Sequence, residues 1–143
     1  MVLNIRHTGI VVDDLDESLS FYRDKLGFTI VKEMVERGDF IDQILGFKQV
    51  ELTTVKMVLN NDQMIELLDF SNYNKSDYSR ELNDLGPTHV AFTVNDIDVV
   101  YKQLLSGNVD FISPPIESPD GYAKVAFCKA PEGTYIELVE ELE

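Results

Sequence analysis

The chain repeats itself, and that repeat limits its fold more than any other feature. His7-Thr8-Gly9-Ile10-Val11-Val12-Asp13-Asp14-Leu15-Asp16 aligns with His89-Val90-Ala91-Phe92-Thr93-Val94-Asn95-Asp96-Ile97-Asp98. A second echo follows, Met64-Ile65-Glu66-Leu67-Leu68 against Tyr135-Ile136-Glu137-Leu138-Val139, with Glu third in each. The only two histidines among 143 residues therefore hold equivalent positions.

Each copy opens with a strand and a helix. In the first, Thr8, Ile10 and Val12 alternate with His7, Gly9 and Val11; in the second, Val90, Phe92 and Val94 alternate with His89, Ala91 and Thr93. The bulkier set should face a helix. Asp14 and Asp96 are the expected N-caps, Glu17 completes a capping-box-like pair, and Leu15, Leu19, Tyr22 and Leu26 recur at helical spacing, as do Ile97, Val100, Tyr101, Leu104 and Leu105. Gly27 and a left-handed Gly107 should end the two helices.

Three β-rich runs follow each helix: 29–35, 49–59 and 63–70, then 110–113, 122–129 and 134–140. Asn60-Asn61-Asp62 and Pro131-Glu132-Gly133 should close the last two strands of each half as hairpins, and 113–121 reads as an irregular loop. The expected class is α+β, two tandem βαβββ modules at 1–71 and 87–143 joined by a polar linker at 72–86. The histidines stand 82 positions apart and the glutamates 71, so the first half carries about eleven extra residues. These fall between Glu33 and Lys48, where Phe40, Ile41, Ile44 and Leu45 predict a short helix over one end of the sheet.

Composition narrows the function. With 26 Asp and Glu against 12 Lys and Arg, the net charge is −14 and the basic residues are scattered, which argues against a nucleic-acid partner. No apolar run approaches the ~20 residues of a membrane span. One cysteine and no secretory pattern at Met1–Arg6 lead us to expect a cytoplasmic protein.

Alternation assigns His7, Glu66, His89 and Glu137 to the polar faces of their strands, where all four can share one concave surface. A single strand histidine is ordinarily structural, and a glutamate near a strand end ordinarily faces solvent. Here both histidines and two glutamates flanked by apolar residues fall in corresponding places, which favours metal binding. Two imidazoles and two carboxylates suit Zn²⁺, Ni²⁺, Co²⁺, Mn²⁺ or Fe²⁺, and four protein donors in an octahedral site leave two positions for water or substrate.

The segments His7–Leu15, Ser18-Leu19-Ser20-Phe21-Tyr22, Leu26-Gly27-Phe28, Met64–Leu67, His89–Phe92 and Pro131–Leu138 resemble the vicinal oxygen chelate superfamily, which includes glyoxalase I, methylmalonyl-CoA epimerase, extradiol dioxygenases and fosfomycin- or bleomycin-resistance proteins. The resemblance covers nearly the whole chain. It implies a cupped, incompletely closed β-barrel around one divalent metal ion per site, with His7, Glu66, His89 and Glu137 at the ligand positions, and a homodimer.

The ligand set points within the superfamily toward the glyoxalase I and epimerase branches, because ring-cleaving dioxygenases use two histidines and one carboxylate and Glu66 would be a fourth donor. The expected reaction is proton transfer beside a metal-chelated carbonyl or hydroxyl of a small oxygenated metabolite, by a lyase or isomerase. Glu137 and Glu66 are the candidate proton carriers. Glu51 is a third, because it resembles the place of a base in the epimerase branch, although its composition is that of an ordinary solvated strand residue. Bacterial glyoxalase I usually shows Arg and Asn where this chain has Val11 and Phe70, so a glutathione adduct is not expected and the first-half lining should be apolar, with Val11, Met64, Leu68 and Phe70. Thr53, Lys56, Tyr122, Lys124 and Arg37 are further polar candidates, and Cys128, which corresponds to Met57, should serve packing. The alternative functions are a non-catalytic module that sequesters an antibiotic or metabolite and, third, a ring-cleaving dioxygenase.

Overall fold

The structure, a computed structural model, describes residues 1–60, 63–76 and 79–143. Its two compact units are Met1–Asp77 and Tyr78–Glu143, and each carries one four-stranded sheet. The turn expected at Asn60-Asn61-Asp62 lies mostly outside the described residues.

In the first unit the chain runs β1 (Thr8–Val11), α1 (Leu15–Leu19), β2 (Thr29–Glu36), α2 (Asp39–Leu45), β3 (Leu52–Val58) and β4 (Met64–Phe70). The sheet order is β1-β4-β3-β2, with β1 parallel to β4 and the other pairs antiparallel. Asp14 caps α1 by accepting a hydrogen bond from the Glu17 amide at 3.0 Å. Past Leu19 the helix does not stay α-helical as its spacing predicts. Ser20–Lys25 continue it with wider bonds, Leu26 N donating to the Phe21 carbonyl five residues back, before Gly27 turns the chain at φ 86°.

The alternation expected of β1 is present, since Ile10 and Val12 are buried while Gly9 and Val11 are exposed. Across the sheet Val55, Met57, Ile65 and Leu67 are buried on the same side. Phe21 and Tyr22 add two fully buried rings, edge-on at 5.0 Å. β3 begins three residues later than predicted. Gln49 adopts φ 52°, and the amides of residues 49–51 donate to Asp42 and Asn72 side chains instead of to a neighbouring strand.

The second unit runs β5 (His89–Thr93), α3 (Ile97–Ser106), β6 (Ile116–Glu117), β7 (Ala123–Lys129) and β8 (Tyr135–Glu141), in sheet order β5-β8-β7-β6. Asp96 caps α3 through the Val99 amide at 3.0 Å, and Glu140 accepts from the Ile97 amide at 2.8 Å. α3 packs on β7 and β8, whose buried residues on that face are Ala126, Cys128, Ile136 and Leu138.

Two expectations fail here. The helix ends at Gly107 with φ −85°, not left-handed, and Asn108 takes the positive φ of 62°. Asn tolerates that conformation, and the placement lets Val109 N reach the Leu104 carbonyl at 3.0 Å. The strand predicted at 110–113 reduces to a single bridge between Phe111 and Cys128, and the outer strand is the two-residue β6. Pro114 and Pro115 lack the amides that a continuous ladder requires.

Candidate functional site

In the second unit the register sets Glu137 opposite Ala91 on β5 and opposite Phe127 on β7. His89, Ala91 and Glu137 share the face turned away from α3, since their neighbours Ile136 and Leu138 are buried. His89 Nε2 stands 3.3 Å from Glu137 Oε2, with the two side chains 40% and 23% exposed. The other ring nitrogen, Nδ1, is 3.0 Å from Thr88 Oγ1, and the imidazole lies edge-on to Phe127 with centroids 5.5 Å apart. The ring is thus held on three sides, by Glu137, Thr88 and Phe127.

In the first unit Gly9 is the register partner of Glu66, and His7 precedes it by two residues just ahead of β1. Glu66 is mostly covered, its side chain 13% exposed, and Oε2 lies 3.8 Å from Nζ of Lys56, its antiparallel partner on β3. His7 Nδ1 is buried and has no hydrogen-bond partner among the described residues. An orphaned buried nitrogen is costly in a folded protein unless something supplies its missing interaction.

Glu66 also forms part of the wall of a cavity of about 210 Å³. β2 contributes Met34 and Glu36, α2 contributes Ile41, Ile44 and Leu45, β3 contributes Leu52, Thr54 and Lys56, and β4 contributes Glu66 and Leu68. All belong to the first unit. The extra segment of the first half therefore forms a helix, as expected, and that helix walls a cavity. Ile41 is buried with Val50 and Leu52, and Leu68, Phe70 and Tyr73 pack around them. Asp42 fixes the chain after α2, its two carboxylate oxygens accepting from the Gln49 and Val50 amides at 2.8 and 2.9 Å. The Tyr73 hydroxyl accepts from the Lys48 amide at 3.0 Å and donates to the Lys48 carbonyl at 2.5 Å.

The other candidates scatter. Glu51 lies one residue ahead of β3, half-exposed, 3.9 Å from Arg37, and neither lines the cavity. Thr53 has the opposite parity from Leu52, Thr54 and Lys56, so Thr54 takes the cavity position. Lys124 sits on the α3 side, 2.5 Å from Asp98, and Tyr122 is exposed. Leu68 lines the cavity as expected, whereas Phe70 belongs to the cluster under α2 and Val11 is half-exposed. Cys128 is fully buried, and burial pushes its thiol up to about 12. Met34, Glu36 and Thr54 were not anticipated. The two-residue period running through Leu52, Thr54 and Lys56 was the available signal for Thr54.

The donor types fit a borderline divalent metal. Each unit supplies one imidazole and one carboxylate, His7 just ahead of β1 with Glu66 on β4, and His89 on β5 with Glu137 on β8, and the first unit leaves a buried imidazole nitrogen unused. Among the described residues no three His, Cys, Asp or Glu side chains are gathered closely enough to hold an ion, and His89 with Glu137 is the pair in contact. Among the same residues no helix is long and apolar enough to cross a membrane.

Two modules of equal strand order, each carrying one histidine at or just ahead of its first strand and one glutamate on its last, define the class. The family model described as Glyoxalase/Bleomycin resistance protein/Dioxygenase superfamily matches residues 4–138, and the chain belongs to that superfamily. The protein YaeR of Escherichia coli (strain K12) is 30% identical over 137 residues, covering 96% of this chain and 95% of its own. A Vibrio parahaemolyticus protein named "Probable lactoylglutathione lyase" is 27% identical over 141 residues, covering 95% of this chain and 89% of its own. The crystal structure of a glyoxalase family protein from Bacillus cereus superposes with a TM-score of 0.90 at 24% identity, over 100% of this chain and 97% of that one, a likeness of fold.

Proposed function

We propose that the protein is a divalent-metal-dependent lyase or isomerase that moves a proton next to a carbonyl or hydroxyl of a small oxygenated metabolite, with His7, Glu66, His89 and Glu137 as the metal donors. The observation that carries this reading is the approach of His89 Nε2 to Glu137 Oε2 at 3.3 Å, with both side chains partly exposed. The repeat sets an equivalent pair, His7 and Glu66, in the other module. The name of the Vibrio relative supports the reaction class.

A bound divalent ion supplies Lewis-acid polarisation of the substrate oxygen. The chain's own groups do the rest. Glu66 and Glu137 are the proton carriers, and each is already oriented, Glu66 by Lys56 at 3.8 Å and Glu137 by His89. Thr88 at Nδ1 and Phe127 at the ring edge fix the plane of His89. Glu66 shares one cavity with the apolar side chains of Leu52, Leu68, Ile41 and Ile44. The reading includes a homodimer acting in the cytoplasm.

The test measures metal content by mass spectrometry on untagged protein, with Glu66→Gln and His89→Ala alongside, and then α-hydrogen exchange of α-hydroxy ketones in D₂O. About one transition metal per site, lost in both variants, with exchange by the loaded protein, is the expected result. Folded protein that refuses all five metals, or loaded protein that exchanges no hydrogen, overturns the assignment.

A further inference from the structure

Apolar side chains gather at the α2 end of the cavity, where Leu52, Ile41, Ile44 and Leu45 stand together with one carboxylate, Glu36, the register partner of Leu52; Thr54 is in the middle, and Lys56 and Glu66 form the other end. Leu52 and Lys56 are four residues apart on β3, about 13 Å at ~3.3 Å per residue. The volume of about 210 Å³ exceeds the ~150 Å³ of an apolar cavity known to take benzene, and falls short of the ~300 Å³ lower bound for sites that hold drug-sized ligands. The space suits one ring or branched alkyl group joined to a short oxygenated head.

We propose that this cavity selects substrates bearing an aryl or branched-alkyl group, seated on Leu52, Leu68, Ile41 and Ile44, with the oxygenated carbon directed to Glu66 and Lys56. The direction of the head rests on the proton-transfer reading given above; the apolar seat does not. α2 sets the selectivity. It derives from the segment that the second half lacks, and without Ile41, Ile44 and Leu45 the end of the cavity by Leu52 would lose its helical wall. Among the described residues Lys56 is the sole cation in the lining, and at 3.8 Å from Glu66 its ammonium is near enough to that carboxylate to serve the same substrate oxygen. A methyl group in place of the ring would leave most of the apolar wall without contacts, which costs affinity at every uncovered carbon.

Methyl-labelled NMR titration of the full chain tests this with two probes that share a hydroxymethyl ketone head, 2-hydroxyacetophenone and hydroxyacetone. The expected result is saturable shifts at the Ile41, Ile44, Leu52 and Leu68 methyls, with at least tenfold tighter binding of the aryl ketone, with or without metal. Ile44→Gln, a change at an exposed helix position, should weaken the aryl ketone about tenfold and leave hydroxyacetone unchanged. Equal affinities for the two probes, or shifts confined to other residues, overturn the seat. D₂O exchange on the same samples separates the two ideas. Methyl shifts without exchange keep the seat and reject proton transfer, whereas exchange of both ketones at equal efficiency without methyl shifts rejects the seat alone.

Discussion

Replacing Asp42 by Ala should loosen the cavity from a position that touches no ligand. The carboxylate accepts from two consecutive amides, and they are not equal in their exposure. Val50 is 1% exposed, so its amide would be left unsatisfied inside the protein at a cost of about 1–3 kcal/mol. Gln49 is exposed and its amide can turn to water, for about 0.5 kcal/mol. Against these, Ala is a better helix former than Asp by roughly 0.5 kcal/mol, and release of Gln49 from its left-handed φ of 52° returns part of a ~1–2 kcal/mol strain. The net is about 1–2 kcal/mol, which for a chain near 150 residues lowers Tm by roughly 2–8 °C. Thermal unfolding followed by circular dichroism reads it. Asp42→Asn keeps one acceptor but presents its NH₂ to the other amide, so its loss should fall between wild type and Ala. The Ile41 and Ile44 methyls should shift in both variants. A Tm for Asp42→Ala within 1 °C of wild type would falsify the claim that this carboxylate holds α2 in place.

Cys128 supplies a pH test. With the thiol near 12, roughly one molecule in ten thousand carries the thiolate at pH 8, against about one in ten at the ordinary value of 9.0, so alkylation of the native protein should run about a thousandfold slower than in denaturant. The folded pKa is raised, so stability from the buried neutral thiol is fully present below the unfolded value near 9 and is lost as pH rises toward 12. Cys128→Ala should remove that part of the alkaline decline, and native labelling as fast as denatured labelling would contradict it. Gly9→Ala tests the approach of β1 to the cavity wall. The new Cβ would meet Leu68 Cδ1 at 3.3 Å, so the leucine tip must give by a few tenths of an ångström. A loss of about 1 kcal/mol in denaturant unfolding, with a shifted Leu68 methyl resonance, is expected, and an unmoved Leu68 would refute the contact.

Most of the fold was legible because its signals are local. A period of two residues assigns Ile10 and Val12 to one face and Gly9 to the other without any knowledge of the partner strand, and an Asp three residues ahead of an amide caps a helix wherever the helix goes. What escaped is decided by distant contacts. Gly107 and Asn108 both tolerate left-handed backbone, and the choice falls to the bond that Val109 makes to Leu104. Asp42 reaches seven and eight residues along the chain, a span with no sequence pattern. Thr53 and Thr54 are chemically alike, so composition cannot assign the cavity to one of them; the period through Leu52, Thr54 and Lys56 groups Thr54 with Lys56, and the pairing of Lys56 with Glu66 says which face that is.

That pairing also shows where the two halves part chemically. Equivalent glutamates occupy equivalent strands, yet Glu66 faces Lys56 across its sheet whereas Glu137 faces Phe127. A cation at 3.8 Å holds the first carboxylate beside an apolar cavity; an aromatic edge leaves the second to the imidazole of His89 at 3.3 Å. A duplicated module needs only one such cross-strand difference to give its two carboxylates different partners. With the donor set repeated and its neighbours not, one half can acquire a substrate-selecting cavity while the other keeps an imidazole and a carboxylate in contact. The segment that supplies α2 is a difference of the same kind, since it adds a wall to one module and leaves the shared strand order of both unchanged.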